Sequence, residues 1–419
     1  MRQHSLWKIG AAVLAGTLAL SACGSREEDP PASPGSTEGG SEEPAGEARE
    51  VTLGVVAPLS GDLAALGLGI QNSVDLAIQQ ANESGDLGNV TLVLDAQDDQ
   101  ATPDVGQQAA SLLSDDETVF GVVGPLNSSV ALSVAPVLAS AGITEISPAN
   151  TGPSLTLGED WATAPARVWD TYFRTCTTDI AQGGFAATYV YDTLGLTSVA
   201  IIHDQKAYGA GLIGVFEDAF VALGGTITTT EVINPDEDDY SSVVGTVAAT
   251  NPELVYYGGE YPQAGPLATQ LLAGGVTVPL MGGDGIFDPA FIELSGGGRE
   301  GDTATSIGAP TADLESAAQF VADYEAAGFN EPYAAYGAQS YDAANALIES
   351  LKAALAEDPE ASGDDLRAAV LAAMADVEYE GATGTVAFDE NGDTTNRLLT
   401  VYEVQGGEWA VVTTGEFEG

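Results

Sequence analysis

From residue 51 onwards the chain alternates short runs of β-branched and apolar residues with stretches whose apolar positions recur every three to four residues. The runs at 51–59 (VTLGVVAPL), 89–99, 118–126 and 143–149 predict strands with buried faces. Between the first two, Ile70, Val74, Ala77, Ile78 and Ala81 fall on one side of a helix, and similar patterns follow Pro103 and Ser128. Strand, helix, strand repeated with one handedness of crossover makes a parallel sheet covered on both faces. The same pattern restarts near residue 179. Strands are predicted at 198–205, 226–233, 254–259 and 278–285, and Leu212, Val215, Phe216, Ala219 and Leu223 mark a helix between the first pair. The last part of the chain breaks the alternation. Helical stretches around 314–327, 335–356 and 363–375 precede the β-rich segments GTVAFD, RLLTVYEV and EWAVVTT, with Asn391-Gly392 and Gly406-Gly407 at tight turns. The fold class is therefore α/β, with two lobes built on parallel sheets. The late helices and strands return to each lobe in turn, so that several crossings form a hinge. Lobe 1 takes residues 51–178 and 307–386, and lobe 2 takes 179–306 and 387–419.

Length agrees with two lobes, since 419 residues exceed one small core and 44% hydrophobic content is ordinary for globular protein. Charge is not ordinary. There are 62 acidic residues against 11 basic ones, and Lys206 and Lys352 are the only lysines beyond residue 8. Such a surface repels phosphate backbones and anionic headgroups, which excludes nucleic acid as a partner. A strongly solvated acidic surface is the expectation, and the lysine-poor composition resembles that of salt-adapted proteins.

The N-terminus is a targeting segment. Arg2 and Lys8 flank a short apolar stretch, Ile9 to Leu20, long enough for a secretory signal and too short to span a bilayer. Leu20-Ser21-Ala22-Cys23 follows and resembles a bacterial lipobox, which implies a lipoprotein signal peptide at 1–22 and lipidation of Cys23. Residues 24–50 are rich in Pro, Gly, Ser and Glu and hold almost nothing apolar, so 23–50 is read as a lipidated cysteine and a disordered tether. The protein is then extracytoplasmic and anchored to the cell membrane. Cys176 is left without a partner, and a buried inert thiol is expected of it.

Catalytic chemistry finds little support. Once His4 leaves with the signal, His203 is the one histidine available to a Ser/His/Asp arrangement, and it lies late in an apolar strand. No Gly-x-Ser-x-Gly elbow occurs. One histidine and one free cysteine do not make a zinc site, and the acidic groups at Asp98-Asp99, Asp236–Asp239 and Asp389–Asp393 lack calcium-loop spacing. Gly209-Ala210-Gly211-Leu212-Ile213-Gly214 fits a dinucleotide fingerprint but starts five residues after its strand ends, with no acidic residue closing the next strand. No enzyme activity, metal or cofactor is expected.

Open α/β sheets bind ligands beyond the carboxyl ends of their strands. Those ends carry Ser128, Ser129, Ala149, Asn150 and Thr151 from lobe 1, and Tyr208, Glu260, Tyr261 and Asp284 from lobe 2. Hydroxyls and free N–H groups at a helix start suit a carboxylate, and a carboxylate across the cleft suits an ammonium. Together they describe a clamp for a zwitterion. Ser128 can cap its helix and still serve it.

At these residues the chain resembles the leucine/isoleucine/valine-binding protein family, the type I solute-binding proteins that feed ABC importers. The likeness runs over 51–414 and includes GVVAPLSGDLAALG (54–67), DDQATP (98–103), GPLNSS (124–129), ISPANT (146–151), AIIHDQKAYGAGL (200–212), VYYGGEYPQAG (255–265) and MGGDG (281–285). The resemblance implies the type I periplasmic-binding-protein fold, two Rossmann-like lobes with a multi-crossing hinge. It also implies a monomer that binds a small amino acid, branched-chain or related, between the lobes and delivers it to permease subunits. Ser128 would hold the ligand carboxylate, with Thr151 assisting. The Ala149 carbonyl and Asp284 would take the ammonium, and Tyr208 would close over the ligand. Leu66 and one of Glu260 or Tyr261 would line the side-chain pocket, and Asn150 lies beside them. Three positions depart from the family's pattern: Leu66 stands for a large aromatic, Asp284 for a glutamate and Glu260 for a tyrosine. A roomier, more polar pocket is expected from them, which keeps urea, short amides and aromatic acids as alternative ligands. A ligand-sensing module and a tethered hydrolase using Ser128 are the alternatives of other classes.

Overall fold

The computed structural model describes residues 48–417. The predicted signal peptide, Cys23 and the tether up to residue 47 lie outside the described residues. β1 (Arg49–Ala57), β2 (Val90–Asp98), β3 (Val119–Val123), β4 (Thr144–Ser147) and β5 (Tyr172–Arg174) form one sheet, parallel throughout, in the order β2-β1-β3-β4-β5. Successive residues of β1 serve opposite faces. Leu53 and Val55 share a core with Ile70 and Val74 of the helix Ala64–Ser84, whereas Val56 packs with Leu113 of Pro103–Asp115 and Val130 and Val134 of Ser128–Ser140. Burial on both faces explains why these strands read as unbroken apolar runs.

The second sheet repeats the plan. β6 (Ser198–His203), β7 (Thr226–Val232), β8 (Leu254–Gly258), β9 (Leu280–Gly282) and β10 (Thr303–Ile307) are parallel in the order β10-β9-β8-β6-β7. On one face Ile201 and Tyr256 pack with Leu212 and Phe216 of the helix Ala207–Ala222, and on the other Ile202 and Tyr257 pack with Leu267 and Leu271 of Tyr261–Ala273. The glycines that imitate a dinucleotide fingerprint belong to this packing: a Cβ on Gly209 would collide with the Gly258 backbone and the Asp204 carboxylate. β11 (Glu378–Gly381) and β12 (Gly384–Ala387) form a separate hairpin. β13 (Leu398–Gln405), antiparallel to β10, and β14 (Glu408–Glu416), antiparallel to β13, then extend the second sheet. β5 and β10 are absent from the sequence-based expectation. Three residues are too few to show a period, and Thr-Ala-Thr-Ser-Ile lacks the large apolar residues that mark its neighbours.

The chain passes between the sheets after β5, after β10 and between β12 and β13, and the helix Gly337–Glu357 lies against Ala64–Ser84, β3 and β4. Arg174 secures the first passage. Its fully buried guanidinium donates to the carbonyls of Asn150 (2.7 Å) and Gly152 (2.9 Å), to Thr156 Oγ1 and to Asp393 Oδ1 (2.5 Å). The Arg174 N–H meanwhile bonds the Gly392 carbonyl at 3.0 Å. Replacing Arg174 with Leu strands two carbonyls and a carboxylate in a dry interior. The expected cost is about 3–5 kcal/mol in urea unfolding, and an unchanged midpoint would contradict this role.

Candidate functional site

The carboxyl ends of the two parallel sheets face each other, and each strand delivers one part of a small cavity. β3 ends at Val123, and the turn through Asn127 opens the helix Ser128–Ser140, whose first N–H groups have no partner within the helix. β4 leads to Ala149, β8 to Glu260 at the start of Tyr261–Ala273, β9 to Asp284, and β6 to Tyr208 in the first turn of Ala207–Ala222. Leu66, Ser128, Ala149, Tyr208, Glu260 and Asp284 line the cavity, together with Leu126, Asn127, Gly285 and Tyr336, which the sequence reading did not single out. The space between these side chains is about 20 Å³, room for about one water molecule. Tyr336 and Asn127 stand in its wall beside the two carboxylates, Tyr336 donating to Asp284 at 2.9 Å and Asn127 to Glu260 at 2.5 Å.

The remaining expected residues lie just outside. Asn150 is fully buried, donating to the Leu126 carbonyl at 2.7 Å and accepting from the Tyr172 hydroxyl at 3.0 Å, so it braces the loop under Ser128. Thr151 is also fully buried, and its carbonyl accepts the Asp179 N–H at 2.8 Å. Tyr261 turns away from the cavity and donates its hydroxyl to the Asp62 carbonyl across the cleft at 2.5 Å. His203 is not part of the cavity, and its Nδ1 accepts the Gln205 N–H at 3.2 Å. The Cys176 thiol is buried against the Asn150 carbonyl, and burial pushes its pKa up.

Asp284 is the focus of the site. Its Oδ1 accepts from Tyr208 and Gln182, each at 2.8 Å, and its Oδ2 from Tyr336 at 2.9 Å. Gln182 also accepts the Asp284 N–H (2.8 Å) and the Thr305 hydroxyl (2.8 Å), so the carboxylate is fixed in orientation as well as position. Burial raises the Asp284 pKa, and these three donors hold it back. Gly285 must be a glycine, because a Cβ there would lie 2.8 Å from both the Gly259 carbonyl oxygen and the Tyr208 ring. Gln182 gave no local signal in sequence; it reaches Asp284 from 102 residues away.

Further bonds draw the lobes together around this point. Asn127 donates to Glu260 at 2.5 Å and the Ala207 N–H to Ser129 Oγ at 3.0 Å. Glu260 also pairs with Lys206 at 2.5 Å. Burial alone would lower the Lys206 pKa, yet the Glu260 carboxylate raises it. Beneath the site Asp179 is fully buried at the head of the helix Asp179–Thr188. Desolvation, with the nearby Asp284 charge, pushes its pKa up to about 8. The Thr151 hydroxyl is near enough to temper this, yet neither Asp179 oxygen has a donor in hydrogen-bonding geometry.

Two covered α/β sheets whose parallel strands point their carboxyl ends at one small cavity with facing hydroxyl and carboxylate groups have the architecture of a solute-binding protein. A family model for the periplasmic binding proteins matches residues 50–408, and the chain belongs to that family, one of extracytoplasmic binding proteins rather than enzymes. Among curated relatives, Leu/Ile/Val-binding protein BraC3 of Rhizobium johnstonii is 32% identical over 359 residues, 86% of this chain and 93% of its own length. Leu/Ile/Val-binding protein homolog 1 of Brucella suis is 31% identical over 345 residues, 82% of this chain and 87% of its own. The leucine-binding protein LivK of Thermotoga maritima matches in structure with a TM-score of 0.75 at 26% identity, covering 87% of this chain and 98% of that one. A benzoate-bound solute-binding protein from R. palustris shares the fold with a TM-score of 0.74 at 21% identity, over 88% of this chain and 97% of that one.

The Asp179 environment yields a test. A carboxyl whose folded pKa lies above its unfolded value near 3.8 favours the folded state fully at low pH, and that contribution is lost as pH rises towards 8. Asp179→Asn removes the buried charge while keeping the shape. It is expected to stabilise the protein at pH 8 by about 1–3 kcal/mol and to flatten the fall in stability between pH 4 and 8. Thermal unfolding across that range measures both; a variant less stable than the parent at pH 8 would contradict the assignment.

Proposed function

We propose that this protein is the substrate-binding component of an ABC importer, acting as a monomer tethered to the cell membrane by a lipid on Cys23. Its two lobes close on a small amino acid, branched-chain or related, and present it to the permease. The observation that carries the reading is the facing of two unlike rims across one cavity. Helix-start N–H groups and the Ser128 hydroxyl stand on one side, and the Asp284 carboxylate stands on the other. The first rim suits the carboxylate of a zwitterion and the second its ammonium. Relatives named for binding leucine, isoleucine and valine support the choice of ligand class. An aromatic acid fits less well, because benzoate brings no cation to Asp284. Lobe 1 is taken as 51–178 with 307–386 and lobe 2 as 179–306 with 387–419. The bonds from Arg174 of lobe 1 to Asp393 and Gly392 support moving the last of these boundaries from 386 to beyond residue 393.

Closure excludes water, which strengthens the pairing between Asp284 and an ammonium. Asp284→Ala is expected to weaken isoleucine binding by about 2–5 kcal/mol in titration calorimetry, since the ammonium would then be buried unpaired. Unchanged affinity would remove Asp284 from the site. For the anchor, a host fed labelled palmitate is expected to label the protein and not its Cys23→Ser variant; label persisting in the variant would contradict lipidation at Cys23.

A further inference from the structure

Two carboxylates line the cavity, and the clamp described above uses one of them. We propose that the other, Glu260, reads the ligand's side chain together with Asn127, selecting a side chain that carries an uncharged hydrogen-bond donor, a hydroxyl or an amide. The inference rests on the amino-acid reading of the Asp284 end. β8 and β9 are adjacent strands, so Glu260 and Asp284 stand side by side at the sheet's carboxyl edge, but with separate partners. Asp284 takes Tyr208, Gln182 and Tyr336, whereas Glu260 takes Asn127 through Oε1 and Lys206 through Oε2.

Charge and hydrogen-bond capacity lead to different conclusions at Glu260. Its charge is met by the Lys206 ammonium at 2.5 Å, so a cationic side chain would add an uncompensated charge. Its acceptor capacity is not met: a carboxylate offers about four lone-pair sites, and each oxygen here receives one donor. Asn127 is only 6% exposed, and its Oδ1 has no donor, its amide group being committed to Glu260. What this end of the cavity lacks is a neutral donor. An apolar side chain would leave these acceptors dry and unpaired.

Threonine and valine have nearly the same shape and differ in one hydroxyl, so the ratio of their affinities isolates this interaction. Calorimetric titration of the full-length chain is expected to show threonine binding tighter than valine by on the order of 10- to 100-fold, as for a hydrogen bond to a charged acceptor. The ratio is expected to fall to about one in Glu260→Leu. Valine binding as tightly as threonine overturns the inference while leaving the amino-acid reading intact. An unchanged ratio in Glu260→Leu overturns the assignment to Glu260. Binding of neither compound also overturns it, and isoleucine and benzoate titrated in the same cell then show whether the amino-acid reading falls with it.

Discussion

The structure depends on keeping one charged group out of water. Asp284 is 3% exposed, and a carboxylate so placed is tolerable only if donors surround it. Those donors come from three parts of the chain. Tyr208 belongs to the helix that follows β6, Gln182 to the helix that begins just after the first crossing, and Tyr336 to the start of the helix that returns to the first sheet. The bond from Tyr336 therefore ties closure of the lobes to the same carboxylate that faces the cavity. A cation between the lobes would find an acceptor whose desolvation has already been met, which is the sense in which the site is preorganised.

Closure itself is distributed. Tyr261 to Asp62, Asn127 to Glu260, and the Ala207 N–H to Ser129 are spread along the cleft, and each pairs a residue of one lobe with a residue of the other. Each such bond stands in place of one made to water, so its net worth is small beside its directional effect. They give the closed form one register. The excess of 62 acidic residues over 11 basic ones belongs mostly to the solvated surface, whereas the cavity holds two of them, Asp284 and Glu260, the latter paired with Lys206.

Much of this was legible in the sequence because the physical signals were local. Strands buried on both faces appear as continuous apolar runs, and a helix such as Ala64–Ser84 shows its buried stripe from Ile70 to Ala81. Strand ends can be located from those runs, which is why Ser128, Ala149, Tyr208, Glu260 and Asp284 could be named in advance. The missed residues lack such signals. Tyr336 follows a loop rather than a strand, and Gln182 looks like any polar position of a helix; both matter only because distant segments meet. Asn127 had a weak signal beside Ser128, but its importance lies in Glu260, 133 residues away. Tyr261 and Glu260 are neighbours whose side chains part company at a helix start, one to the opposite lobe's backbone and one to the cavity, and no pattern in the sequence separates them.

The clamp is tested most directly by diffraction from crystals grown with a bound amino acid. The account places its carboxylate against the N–H groups and hydroxyl at Ser128 and its ammonium within hydrogen-bonding distance of Asp284 and the Ala149 carbonyl. A ligand lying in the opposite orientation, or bound outside the cavity with the Tyr336–Asp284 bond undisturbed, would contradict it.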